Sequence, residues 1–145
     1  MRATMEDWAL FILRVGAGLT FLLHGYPKLF AGAGPLTFSR YLHAQHFPAP
    51  LFFAWIFALV EVFGGLALIA GIQTKYAAGA LAGERIITIL GLKMARGVAF
   101  MASRGIGWEL DFLLLCMAIG VYVLGPGAIT VQTFLPMVQA RRRTA

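Results

Sequence analysis

A single cysteine, Cys116, stands in a chain of 145 residues. An intrachain disulfide, a CxxC redox pair and a multi-thiolate metal site are therefore excluded. Charge is scarce too, with six acids and twelve bases making up 12% of the residues, while 60% are hydrophobic and the mean hydropathy is +0.81. Soluble domains average about a quarter charged residues, so water is not the main solvent of this chain. No internal repeat, low-complexity tract or phosphate-cradling glycine loop is present. The net charge of +6 does not indicate nucleic acid, because half of it is the run Arg141, Arg142 and Arg143, and no basic helix or aromatic-basic platform accompanies it.

What the chain does have is apolar length. Runs over residues 8–30, 51–72, 76–92 and 108–124 each approach the roughly 20 residues that cross a bilayer. They predict an all-α, integral-membrane, antiparallel four-helix bundle that uses residues 1–145 as a single transmembrane domain. Ala31, Gly32 and Ala33 resemble a signal-peptide cleavage site, but the first run is long for a signal core and carries Arg14 and His24, which favours a retained span. Between the first two runs, Phe38, Tyr41 and Leu42 recur at i, i+3, i+4 spacing, predicting a short helix lying in the interface. Gly79 and Gly83 offer a small-xxx-small surface for close helix approach. Gly125-Pro126-Gly127 stops the fourth run, and residues 129–138, apolar but interrupted by Pro136, are read as interfacial. Cys116, inside an apolar run, is expected to be a small buried hydrophobe.

The basic tail 139–145, with Arg141, Arg142 and Arg143, suits anionic lipid headgroups. Four crossings put both termini on one side. Arg2, Lys75 and the terminal arginines balance Lys28, Arg40, Lys93, Arg96 and Arg104 five to five, and the clustering of the tail favours cytoplasmic termini in a bacterial inner membrane.

Ionisable residues inside the runs carry the most information, since Glu84 and Arg85 each cost ~2.5–3.5 kcal/mol at mid-membrane. Counting depth from each helix start gives a formally neutral middle layer of Arg14, Glu61, Glu84 and Arg85. The expected pairs are Arg14 with one carboxylate and Arg85 with the other. Glu84 and Arg85, about 100° apart on their helix, should meet different neighbours. A second layer, near the face opposite the termini, holds His24 and Lys28 with Glu109 and Asp111, the acids being the expected partners of Lys28. Fixed ion pairs that set helix register are one use of such groups. Hydrogen bonding to a quinone headgroup and exchange of its protons is the other. Haem finds only His24 within a span, and His43 with His46 lies in a loop without supporting acids, so no metal is expected. No covalently bound cofactor is expected, which leaves quinone as the candidate ligand.

Leu13-Arg14 with Gly18, Phe21-Leu22-Leu23-His24-Gly25 and Lys28-Leu29-Phe30 in the first run form part of an ordered pattern. It continues through Glu61-Val62-Phe63-Gly64-Gly65-Leu66-Ala67-Leu68 and Gly71, then Gly97, Trp108-Glu109-Leu110 and Gly125-Pro126-Gly127. In this the sequence resembles the DoxX family of small four-helix membrane proteins. The resemblance implies site positions at Arg14, His24, Lys28, Glu61 and Glu109, and association with sulfur-oxidising quinone reductases or oxidative-stress complexes. Glu84 and Arg85 depart from it, since similar proteins are mostly apolar there. The leading expectation is a membrane subunit of an oxidoreductase assembly that interacts with quinone or protons. Its rival is a non-catalytic accessory subunit of a larger respiratory or photosynthetic complex, in which other membrane subunits are the partners. A small transporter ranks last, because four helices supply a through-path only as an oligomer.

Overall fold

The computed structural model describes residues 3–102 and 107–133, and these are helical with no strand among them. Arg2, Arg104, Pro136 and the tail 139–145, for which the sequence raised expectations, lie outside the described residues. Helix α1 spans Met5–Phe30, and α2 spans Pro35–Ala44. Helix α3 spans Pro50–Ala70, α4 spans Thr74–Ile87 and α5 spans Glu109–Leu124. Two of these, α1 and α3, with mean hydropathies of 1.5 and 2.2 over their most apolar stretch, are long and apolar enough to cross a membrane.

Local sequence explains the boundaries. Thr4 and Asp7 form a reciprocal cap at the start of α1, with Asp7 N–H donating to Thr4 Oγ1 at 3.2 Å and Thr4 N–H donating to Asp7 Oδ2 at 2.9 Å. Pro35 and Pro50 occupy first-turn positions, where a missing N–H costs nothing. Gly71, at φ 72°, ends α3 in the left-handed conformation. Helix α4 does not stop at Ile87. It widens into a π-helical segment, Thr88–Lys93, and then tightens into a 3₁₀ turn, Met94–Arg96. The expected span over 76–92 is thus only partly α-helical, and Lys93, read from the sequence as part of a loop, belongs to this helical continuation.

The long helices pack in the order α1, α3, α4, α5, with α5 returning to α1, and α2 lies across α3 and the end of α1. The tightest seam joins α1 and α3. A Cβ on Gly18 would stand 2.7 Å from the Gly65 carbonyl, and one on Gly65 would stand 2.7 Å from the Gly18 carbonyl. Two backbones in contact admit no side chain at either position. The seam expected at Gly79 and Gly83 is not used in this way, because a Cβ on Gly83 would meet nothing within 4 Å and one on Gly79 meets only the Tyr122 ring.

Two apolar clusters fill the interior, one around Phe21, Leu68, Leu81, Leu114 and Val121, the other around Leu42, Phe47, Ala54, Phe57 and Leu92. The outside is apolar as well. Phe63 is 61% and Val123 72% exposed, whereas Glu61 is fully buried and Arg14 only 1% exposed. Apolar surface around buried charge is the distribution expected when lipid is the solvent. Cys116 follows that rule and not the earlier expectation, since it is exposed on the outer side of α5.

Candidate functional site

Six charged side chains meet in one network built from all four long helices. Lys28, near the end of α1, places its ammonium 2.7 and 2.6 Å from the two oxygens of Glu61 on α3. Glu61 also accepts from the Arg85 guanidinium of α4. Arg85 donates back to its neighbour Glu84 through Nη2 at 2.6 Å, and through Nη1 to Asp111 of α5 at 2.7 Å. Lys93 closes the far end, with Nζ 2.6 Å from Asp111 Oδ2 and 2.7 Å from the Gly107 carbonyl. Thr88 donates its hydroxyl to Glu84 at 3.0 Å. Three carboxylates balance three cations, so a set that is mostly buried carries no formal charge. That balance matters, because an unpaired buried charge costs several kcal/mol.

The two expected layers therefore merge, and their pairings change. Glu84 and Arg85 do not meet separate neighbours: the long guanidinium stem folds back on Glu84 while its remaining donors reach two other helices. Lys28 pairs with Glu61 instead of Glu109 or Asp111, because α1 ends at Phe30 while α3 rises past it, with α2 and the Phe47–Phe57 contact filling the space above. Equal starting depth for every helix was the assumption that failed.

Arg14 takes no carboxylate among the described residues. Its Nη1 donates to the Pro126 carbonyl at 2.6 Å and its Nη2 to the Ile129 carbonyl at 2.7 Å. Gly71, the cap of α3, lies directly beside it, where a Cβ would come 2.8 Å from Arg14 Nη1. The guanidinium thus sits beside the cap of α3 and against two carbonyls of the segment that follows α5, whose partial negative charge takes the place of a carboxylate. Asp7 holds the same segment by accepting from Ala128 N–H at 2.7 Å.

A cavity of about 390 Å³ opens beside the network. His24, Lys28, Arg85, Lys93 and Asp111 supply its charged and titratable wall; Phe38 and Tyr41 of α2 face them, and Thr88 and Leu92 come from the π-helical segment. An α-helix would set Thr88 and Lys93 about 140° apart, whereas the wider i→i+5 turn brings both to the cavity. Widened turns of this kind are frequent at functional sites. Of the five positions implied by resemblance, His24 and Lys28 line the cavity, and His24 Nδ1 lies 2.8 Å from the Thr20 carbonyl. Glu61 lies directly behind Lys28, Arg14 is at the opposite end of the helices, and Glu109 is half-buried at the start of α5, outside the cavity wall. Its Oε2 is buried without a hydrogen-bond partner among the described residues.

Tyr41, Phe38, Thr88 and Lys93 were not among the site residues expected. The spacing of Phe38 and Tyr41 did mark one face of α2, but nothing in the sequence distinguishes a π-helical turn from the α-helical span expected over 76–92 or carries the helix on into Lys93. His43 and His46 are exposed and away from the cavity.

The charge network and cavity wall draw on residues of all four long helices, and a family model described as DoxX matches residues 9–96, which include all of α1 to α3 except the first turn of α1, and the whole of α4 with its continuation. No curated protein and no solved structure matched the chain.

Proposed function

The chain belongs to the DoxX family and is a membrane protein of that type, and on that premise we propose that it serves as the membrane subunit of an oxidoreductase assembly, with the cavity beside Lys28 and Lys93 receiving a quinone ring. In this reading all four long helices cross the bilayer, the third with its π-helical continuation, and both termini face the cytoplasm of a bacterial cell. Lipid contacts the apolar exterior, and the basic tail at Arg141, Arg142 and Arg143 meets anionic headgroups.

The carrying observation is the composition of the cavity wall. It offers three cations and one carboxylate, from Lys28, Arg85, Lys93 and Asp111, opposite the aromatic rings of Phe38 and Tyr41. A quinone presents electron-rich carbonyl oxygens at the edge of a flat ring, so donors at the edge and aromatic faces on the side fit its chemistry. The volume also lies within the range of small-molecule sites. When bound, such a ring supplies two-electron, two-proton chemistry.

The chain's own residues bind and orient. Lys28 and Lys93 reach the cavity with ammonium protons to donate, and the hydroxyl of Tyr41 adds a neutral donor. Glu61 and Asp111 hold the two ammonium groups in place from behind. With one cysteine in the chain, dithiol chemistry belongs to a partner subunit. Tyr41 is 53% exposed and belongs to none of the ion pairs, which makes it the right probe. Tyr41→Leu and Lys93→Gln are expected to weaken binding of a water-soluble benzoquinone to the purified protein about tenfold, as loss of one hydrogen bond to a charged or hydroxyl donor does. Unchanged binding in both would remove the reading.

A second reading, a non-catalytic accessory subunit, is favoured by the self-sufficiency of the network, whose six charges satisfy one another without a ligand. Extraction in mild detergent separates the two. A stable, monodisperse protein that binds quinone without partners supports the first and counts against the second.

A further inference from the structure

Building on the assignment of the first cavity to a quinone ring, we infer that the groove next to it holds the ligand's isoprenoid chain, so that the protein draws a long-tailed quinone sideways from the bilayer. The groove, about 420 Å³, runs between the end of α1 and the first turns of α2 and shares Lys28, Phe38 and Tyr41 with the cavity. The two spaces therefore adjoin, with the Phe38 and Tyr41 rings between them. Phe38 and Tyr41 stack there with centroids 6.0 Å apart and planes 14° from parallel, and the Lys28 ammonium stands 4.9 Å over the Phe38 ring.

Polarity changes across that partition. Beyond it the groove is lined by Pro27, Ala31, Gly32, Gly34 and Thr37, which carry no charge. Its floor is the turn joining α1 to α2, where Gly32 and Gly34 take φ values of 59° and 58°. A Cβ on Gly34 would stand 2.6 Å from the Leu29 carbonyl, so the turn needs glycine there and leaves the floor bare of side chains. Tyr26, Phe30 and Leu36, the chain neighbours of the lining residues Pro27, Ala31 and Thr37, are exposed, 57%, 60% and 51% respectively. An entrance flanked by aromatic and aliphatic side chains opens to lipid, and a ligand that arrives through it is dissolved in the membrane. A bare ring would fill the charged end alone. An amphiphile with a polar ring and an apolar chain fills both.

Thr37 and Ala31 are exposed and face the groove, so enlarging them fills it without disturbing the interior. Calorimetry on the full-length protein in detergent would compare a tailless benzoquinone with the same ring carrying a ten-carbon chain, in wild type and in Thr37→Trp and Ala31→Leu. Partition of each ligand into micelles is common to all three proteins and cancels in their ratio. Both variants are expected to lower affinity for the tailed ligand by at least about tenfold, the loss of two or more buried methylenes, and to bring it towards that of the bare ring. If both variants bind the tailed ligand as wild type does while the bare ring still binds, the groove is not a tail site and the ring site stands. If wild type binds neither ligand, the ring reading fails and the tail reading with it. Phospholipid that co-purifies in the groove and resists excess tailed quinone would also overturn the inference.

Discussion

Lys28, two residues from the end of α1, holds Glu61 near the middle of α3 at 2.7 Å. One residue belongs to a helix end and the other to a helix centre, so their meeting fixes how far α1 and α3 are staggered. Arg85 then ties that pair to α4 and, through Asp111, to α5. The charges act as a register pin for the whole helix set, and the cavity wall is the exposed edge of that pin.

Removal of Arg85 alone strands Glu61, Glu84 and Asp111 with two lysines among three carboxylates. Arg85→Leu is expected to cost about 3–5 kcal/mol in thermal or SDS-titration unfolding of the detergent-solubilised protein. Glu84→Leu combined with Arg85→Leu leaves two neutral pairs, Lys28 with Glu61 and Lys93 with Asp111. The double variant should therefore be more stable than the single one by about 2 kcal/mol. A double variant as unstable as the single one would show that Arg85 acts through packing and not through charge balance.

The glycines of α1 and α4 should respond in opposite directions. Gly18→Ala places a methyl 2.7 Å from the Gly65 carbonyl and 2.9 Å from Ile69, and is expected to cost about 1–3 kcal/mol by overpacking. Gly83→Ala meets nothing within 4 Å and should gain about 0.5–1 kcal/mol from helix propensity. Equal effects at the two positions would contradict the α1–α3 seam.

Cys116 reports on whether α5 crosses the bilayer. It lies midway along the helix and points outward. In lipid nanodiscs a charged maleimide should label it about tenfold more slowly than after transfer to SDS, because a charged reagent is costly to bring into hydrocarbon. Labelling at the same rate in both would place Cys116 in water and argue against a fourth crossing.

The importance of Glu61, Glu84 and Arg85 was legible in the sequence, since each stands in an apolar run where charge is costly. Their partners were not. Counting from helix starts treats every helix as beginning at one plane, and α2 with the Phe47 and Phe57 rings lifts the start of α3 well above the end of α1. Arg14 shows a second limit, because its partners are the backbone carbonyls of Pro126 and Ile129, and carbonyls leave no mark in composition. Lys93 shows a third: its place in the cavity wall depends on a widened turn that the residues Thr88 to Lys93 do not advertise. The short helix α2 was visible from its spacing, but its role as the wall that separates the polar cavity from the apolar groove came only from the fold.

The network has a property that concerns the order in which the chain enters the membrane. Once α1 and α3 are in place, Lys28 and Glu61 already neutralise each other. Helix α4 then arrives with both Glu84 and Arg85, its π-helical continuation adds Lys93, and α5 supplies Asp111 as the counter-charge of Lys93. Glu84 and Arg85 thus enter as a neutral pair, and the two cations made before their carboxylates, Lys28 and Lys93, both stand at helix ends, where a flexible stem can keep the ammonium in water until the partner segment follows.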